Sequence, residues 1–157
     1  MKTMIRPAII ADTKSMVALS DQKRREYEKA QPHFWRKAEQ ANETQTAWFE
    51  ELLSNANHIL LVAVDEHYIK GFIIGELKVA PEVYDPGGLT LMIDDFCVEN
   101  SEWDRIGKPL LHVLKQQAKQ KGAIQTLVVC GHHDKPKRQF LRSESLDIAS
   151  EWYVGGI

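Results

Sequence analysis

The chain has 157 residues and a formal net charge of −2. That length suits one domain, residues 1–157, with a core large enough to stand without disulfides or a metal. The charge is too small for a nucleic-acid surface, and the longest strongly apolar run, "ILLVAV" from Ile59, is far too short to cross a membrane.

Cys97 and Cys130 lie in the apolar runs "DDFCV" and "LVVCG", which reads as two reduced, largely buried thiols in a cytoplasmic protein. The opening "MKTMIRPAII" is too polar, and too soon broken by Pro7, to be a signal peptide.

In chain order, "TMIRPAII" predicts a first strand and "ADTKSMVALSDQKRREYEK" a helix. Asp12 is a good N-cap for it, and Met16, Leu19, Lys23 and Tyr27 mark one face. "AQPHFWRKAEQ" is a break around Pro32. A second helix is expected from Asn42, with Gln45 three residues on as a capping partner and "TAWFEELLSN" as the apolar face. "HILLVAV" and "IKGFIIGELKVA" form an antiparallel hairpin across "DEHY". "PEVYDPGG" is a loop, and "LTLMIDDFCV" the next strand. "RIGKPLLHVLKQQAKQKG" is a helix with Ile106, Leu110, Leu114 and Ala118 at spacings of four and Gly122 as its stop. "AIQTLVVCG" is another buried strand. A short helix follows from Asp134 with Pro136 in its first turn, and "LDIASEWYVGGI" is expected to end the chain as a strand.

The chemistry concentrates in "IDDFCVENSEWDRIGKPLL". A strand running into a helix aims free N–H groups and the positive end of a dipole at the space beyond the strand, which attracts phosphate. Gly107 allows close backbone approach there, Arg105 and Lys108 add charge that reaches phosphate oxygens, and Pro109 fits the first helical turn.

The order of elements and this motif resemble the GNAT superfamily of acetyl-CoA-dependent N-acetyltransferases over nearly the whole chain. The resemblance implies an α/β (α+β) fold: a mixed, mostly antiparallel twisted sheet flanked by helices, with splayed central strands. It implies acetyl-CoA as cosubstrate and transfer of an acetyl group to a primary amine of a small molecule or protein by direct attack; the charge, the short apolar runs and the ligand spacing point to no nucleic acid, membrane or metal. The pyrophosphate would sit on the turn Trp103, Asp104, Arg105, Ile106, Gly107 and Lys108. The family's pattern is Arg or Gln, two residues, Gly, one residue, then Gly or Ala. Here Glu102 and Arg105 replace the first cation and the first glycine. Backbone groups of Phe96, Cys97 and Val98 would pair with the pantetheine arm, and an N–H there would polarise the thioester carbonyl. Asp134 caps the short helix near where the family often has an asparagine beside pantetheine.

The amine must lose a proton, and Asp94 and Asp95 lie where several family members carry acidic residues. They are the catalytic candidates. Successive strand side chains face opposite ways, so at most one is expected in a given cleft. The competing role for either is to hold loop N–H groups or to pair with Arg or Lys. Leu141 stands where many members have a tyrosine that protonates the leaving thiolate, leaving water, Tyr153 or no group in that role. Lys135, Lys137 and Arg138 read as a solvated basic face, or as neighbours of the CoA 3′-phosphate. His132, His133 and Asp134 lack a second ligand pair with metal spacing. His33, Phe34, Trp35 and Trp48 could line the acceptor pocket, although Trp48 and Phe49 read better as core, and Tyr84 could cover that pocket.

A second reading, of a different class, is a GNAT-fold binding or regulatory module with weakened or lost acetyl transfer, which Glu102, Arg105 and Leu141 favour. The resemblance also implies pairing of two copies through C-terminal strands, for which "SEWYVGGI" is apolar enough. The acceptor and the oligomeric state stay open in the sequence.

Overall fold

The computed structural model describes residues 2–157. Strands β1 (Met4–Pro7), β2 (His58–Asp65), β3 (Tyr68–Lys78), β4 (Leu89–Val98) and β5 (Ala123–Val128) lie side by side in that order. All neighbours are antiparallel except β4 and β5, which are parallel. A parallel pair needs a crossover. It is supplied by helix α3 (Lys108–Gln120), entered through a 3-10 turn at Asn100–Glu102 and a wider π-type turn at Trp103–Gly107.

Strand alternation divides the sheet between two cores. Leu60, Val62, Val64, Phe72 and Ile74 face helices α1 (Thr13–Ala30) and α2 (Ala41–Leu52), where they meet Met16, Val17, Phe49 and Leu52. Ile59, Leu61, Ala63, Ile73, Leu91 and Ile93 face the other way, onto α3 and helix α4 (Lys135–Ser143), through Leu110, Leu111, Leu114, Phe140 and Leu141. Two glycines of β3 let the crossover sink onto the sheet. A Cβ on Gly71 would lie 2.7 Å from Ile106 Cγ2, and one on Gly75 would lie 3.0 Å from Leu114 Cδ2.

Three local expectations need correction. Asp12 does not cap α1 through its side chain. Its carboxylate accepts from Arg6 at 2.7 and 2.9 Å and from the Ile9 N–H, and these contacts, led by the Arg6 hydrogen bond, hold it below the usual carboxylate range. Helix α2 starts at Ala41, and Gln45 accepts from Arg24 rather than completing a cap. No strand forms after α4: residues 147–157 are exposed, and no neighbouring strand takes up their backbone groups. A strand needs such a partner whatever its side-chain propensity. Among the described residues no helix is long and apolar enough to cross a membrane.

Candidate functional site

The site is set by a fault in β4. Opposite β3, Ile73 pairs with Phe96 while Gly75 pairs with Ile93, so β4 carries one residue more than its partner across this step. This is a β-bulge, and it shifts the strand's alternation by one. Leu91 and Ile93 face the α3 side, and after the bulge so do Phe96 and Val98, while Cys97 faces α1 and α2. Asp94 and Asp95 are therefore not split between the two faces. Both line the same two clefts on the α1–α2 side. The expectation that only one could enter a given cleft fails because strict alternation fails here.

One cleft, of about 170 Å³, opens between α1, β4 and the start of α4 and is also lined by Lys23, Arg24, Tyr27 and Trp35. The other, of about 100 Å³, runs under α2 past Trp48, His58, Glu76 and Met92. Burial first, and then the neighbouring Asp94 charge, push the Asp95 carboxyl up to about 6, against the opposing pull of Lys137 and Arg24. A carboxylate so placed is a better proton acceptor near neutral pH than an ordinary one. Arg24 donates to two neutral amides, Asn42 at 3.2 Å and Gln45 at 2.5 Å.

Tyr27 closes the end of the larger cleft. Its hydroxyl donates to Asp134 Oδ2 at 3.0 Å and accepts from the Gly131 N–H at 3.2 Å. Burial, followed by the Asp134 charge, raises its pKa well above the phenol range, so it stays protonated. Its ring meets Trp35 and His133 edge-on at 4.8 and 4.4 Å between centroids. Asp134 does cap α4, accepting from the Lys137 N–H.

Pairing of β4 with β5 stops at Ile93, whose carbonyl accepts from Val129 N at 2.9 Å, while β4 runs on to Val98 against β3 alone. The two strands thus part just beyond the bulge. Lys137 crosses this gap. It is 4% exposed, and its Nζ donates to the Phe96 carbonyl at 3.2 Å, 5.6 Å from the Phe96 ring centroid and 5.8 Å from that of Trp103. Trp103 lies in the core, stacked on Phe140 with centroids 5.2 Å apart and planes at 23°. A Cβ on Gly107 would come within 2.7 Å of the Trp103 ring, so Gly107 makes room for that ring. Arg105 turns outward to Asp65 at 2.7 Å and Glu102 at 2.6 Å, and Lys108 lies 3.9 Å from Glu144.

No protein-family model matches the chain, and no curated protein matches it in sequence. Solved structures do match it in shape. A mutant of the BH1408 protein from Bacillus halodurans superposes with a TM-score of 0.85 at 18% identity, covering 98% of this chain and 99% of its own. A predicted acetyltransferase from Clostridium acetobutylicum, solved with acetyl-CoA, gives 0.73 at 16% identity over 99% and 96%. An aminoglycoside N-acetyltransferase in complex with CoA gives 0.74 at 12% identity over 99% and 95%. The chain has the GNAT fold.

On that GNAT frame the backbone expected to receive pantetheine is present, because the β4 edge at Phe96–Val98 is free of β5. The side chains around it do not fit pantetheine as they stand. Lys137 holds the Phe96 carbonyl, Trp103 covers Gly107 and packs on Phe140, and Arg105 and Lys108 face carboxylates. Cys97 and Cys130 are free thiols, each pushed by burial up to about 11, and neither is an activated nucleophile.

The structure thus brings together Asp94, Asp95, Phe96, Cys97 and Asp134 around one cleft, and sets Asp104, Arg105 and Lys108 on the outer side of the turn. Trp48 is 43% exposed and lines the smaller cleft, so it is not the core residue expected, whereas Phe49 is. Tyr84 is exposed and Tyr153 bonds to Glu151 in the exposed tail. Lys137 is not part of a solvated basic face. Tyr27 and Arg24 carry only a helical signal in the sequence, and their side chains reach the cleft because α1 packs on β4.

Proposed function

We propose that the chain is an N-acetyltransferase that takes a primary amine in the cleft beside Asp94 and Asp95, with acetyl-CoA as donor. One observation carries the reading: the bulge turns two adjacent carboxylates to the same face, directly before the strand edge left free by β5. Two carboxylates on one face attract an ammonium group. Asp95, with its carboxyl up at about 6, accepts the proton that the amine must lose. The rings of Tyr27 and Trp35 wall the cleft and favour a cation.

A second reading is supported by Trp103. With that ring over Gly107 and against Phe140, the chain would be a GNAT-fold module that binds an amine without transferring to it. Incubation of the protein with acetyl-CoA and a panel of primary amines, read by mass spectrometry, separates the two. The first reading expects an N-acetylated product that disappears in Asp95→Asn. Absence of product from every amine, with an amine still binding by calorimetry, leaves the second.

A further inference from the structure

We propose that Lys137 closes the donor groove and decides whether a pantetheine thioester can enter it. The inference rests on the acetyltransferase reading and adds the residue that controls donor access. The Phe96 carbonyl belongs to the stretch of β4 left free beyond the last β4–β5 pair, and Lys137 Nζ is its partner at 3.2 Å. The lysine stem is buried across the opening, in the first turn of α4, where the Asp134 cap orients it.

This closure differs from the rest of the groove wall in being removable. The backbone of Phe96–Val98 is fixed by pairing with Ile73, Phe72 and Gly71 of β3. Trp103 is fixed by its stack on Phe140 and its edge contact with Phe96, 5.0 Å between centroids. The Lys137 ammonium has one carbonyl and two ring faces, and among the described residues it makes no ion pair. With no carboxylate in salt-bridge contact, and with the Asp95 charge acting on it only across the cleft, the buried ammonium recovers little of its desolvation cost, and a four-carbon stem swings out easily. An incoming amide N–H of a pantetheine arm would take over the Phe96 carbonyl as the lysine leaves for water.

The test is calorimetric titration of acetyl-CoA into the full chain and into two variants, Lys137→Ala and Lys137→Ser, each first shown to fold by its thermal melt. Both variants are expected to bind at least about tenfold more tightly than the wild type. Loss of packing alone does not produce such a gain in affinity. If one variant does not fold, the other decides. Equal affinity in wild type and variants overturns the role of Lys137 and leaves the acetyltransferase reading standing. No binding to any of the folded proteins overturns both.

Discussion

The bulge at Asp94–Asp95 and the turn at Trp103–Gly107 lie on one strand–turn–helix joint, and they treat polarity in opposite ways. The bulge keeps two carboxylates beside a cleft, one of them so desolvated that its carboxyl rises to about 6. The turn buries a tryptophan to 4% exposure where the GNAT resemblance calls for a bare phosphate cradle. The first arrangement is poor for stability and leaves carboxylates facing a cleft. The second is good for stability and poor for binding an anion. The bulge half of the joint thus carries charge and the turn half carries packing.

Trp103→Ala tests the packing half, and the largest effect is expected there. The ring fills the space between Phe96, Phe140 and Gly107, so its removal leaves a cavity and an unsupported turn. Losses for such truncations run to about 3–5 kcal/mol. Urea denaturation should show a loss in that range, and a loss below about 1 kcal/mol would mean that the turn is not part of the core.

Asp95→Asn tests the charged half, and the expected sign is opposite. The folded carboxyl titrates at about 6 against an ordinary 3.8, so the folded state holds its proton to higher pH than the unfolded chain does. Wild-type stability from this group is therefore greatest below about pH 4, falls as pH rises towards 6, and stays low above it. Asparagine removes the fall. The variant should be more stable than wild type at pH 7 by about 1–3 kcal/mol, with the gain gone near pH 4. Asp94, Lys137 and Arg24 face the same carboxyl and remain in place. Amine binding should weaken in the same protein. A variant less stable at pH 7 would show that Asp95 holds structure, and the comparison between the halves would fall with it.

Much of this contrast is present in the sequence, in uneven form. The helix–strand order was legible because buried strands such as "HILLVAV" and the four-residue spacing from Ile106 to Ala118 are strong local signals. The span of β4 was legible for the same reason. The bulge left a trace as well: apolar residues at 91, 93, 96 and 98 step out of period between Ile93 and Phe96. That break in phase marks an inserted residue, and it identifies Asp94 and Asp95 as sharing a face. The seat of Lys137 left no such trace, since "DKPKRQF" reads as an exposed basic helix start. Its burial depends on a gap between β4 and β5, which is a tertiary property. The missing last strand is also tertiary, because "SEWYVGGI" has strand character but no partner strand beside it.

Arg105 gives the smallest expected effect and the sharpest check on where the turn directs its charge. The sequence places Arg105 where a phosphate would sit, but the guanidinium donates to Asp65, Glu102 and the Thr3 hydroxyl on the outer side of the joint. Thr3 and Arg105 together hold Asp65 below the usual carboxylate range, so the pair is already satisfied. Exposed pairs of this kind contribute little. In the Lys137→Ala background, where the groove is open, Arg105→Ala should change acetyl-CoA affinity by less than about twofold in a calorimetric titration. A tenfold loss would mean that Arg105 abandons both carboxylates for the pyrophosphate. The turn would then be a phosphate cradle that closes by packing when empty, and the division between a charged half and a packing half would disappear.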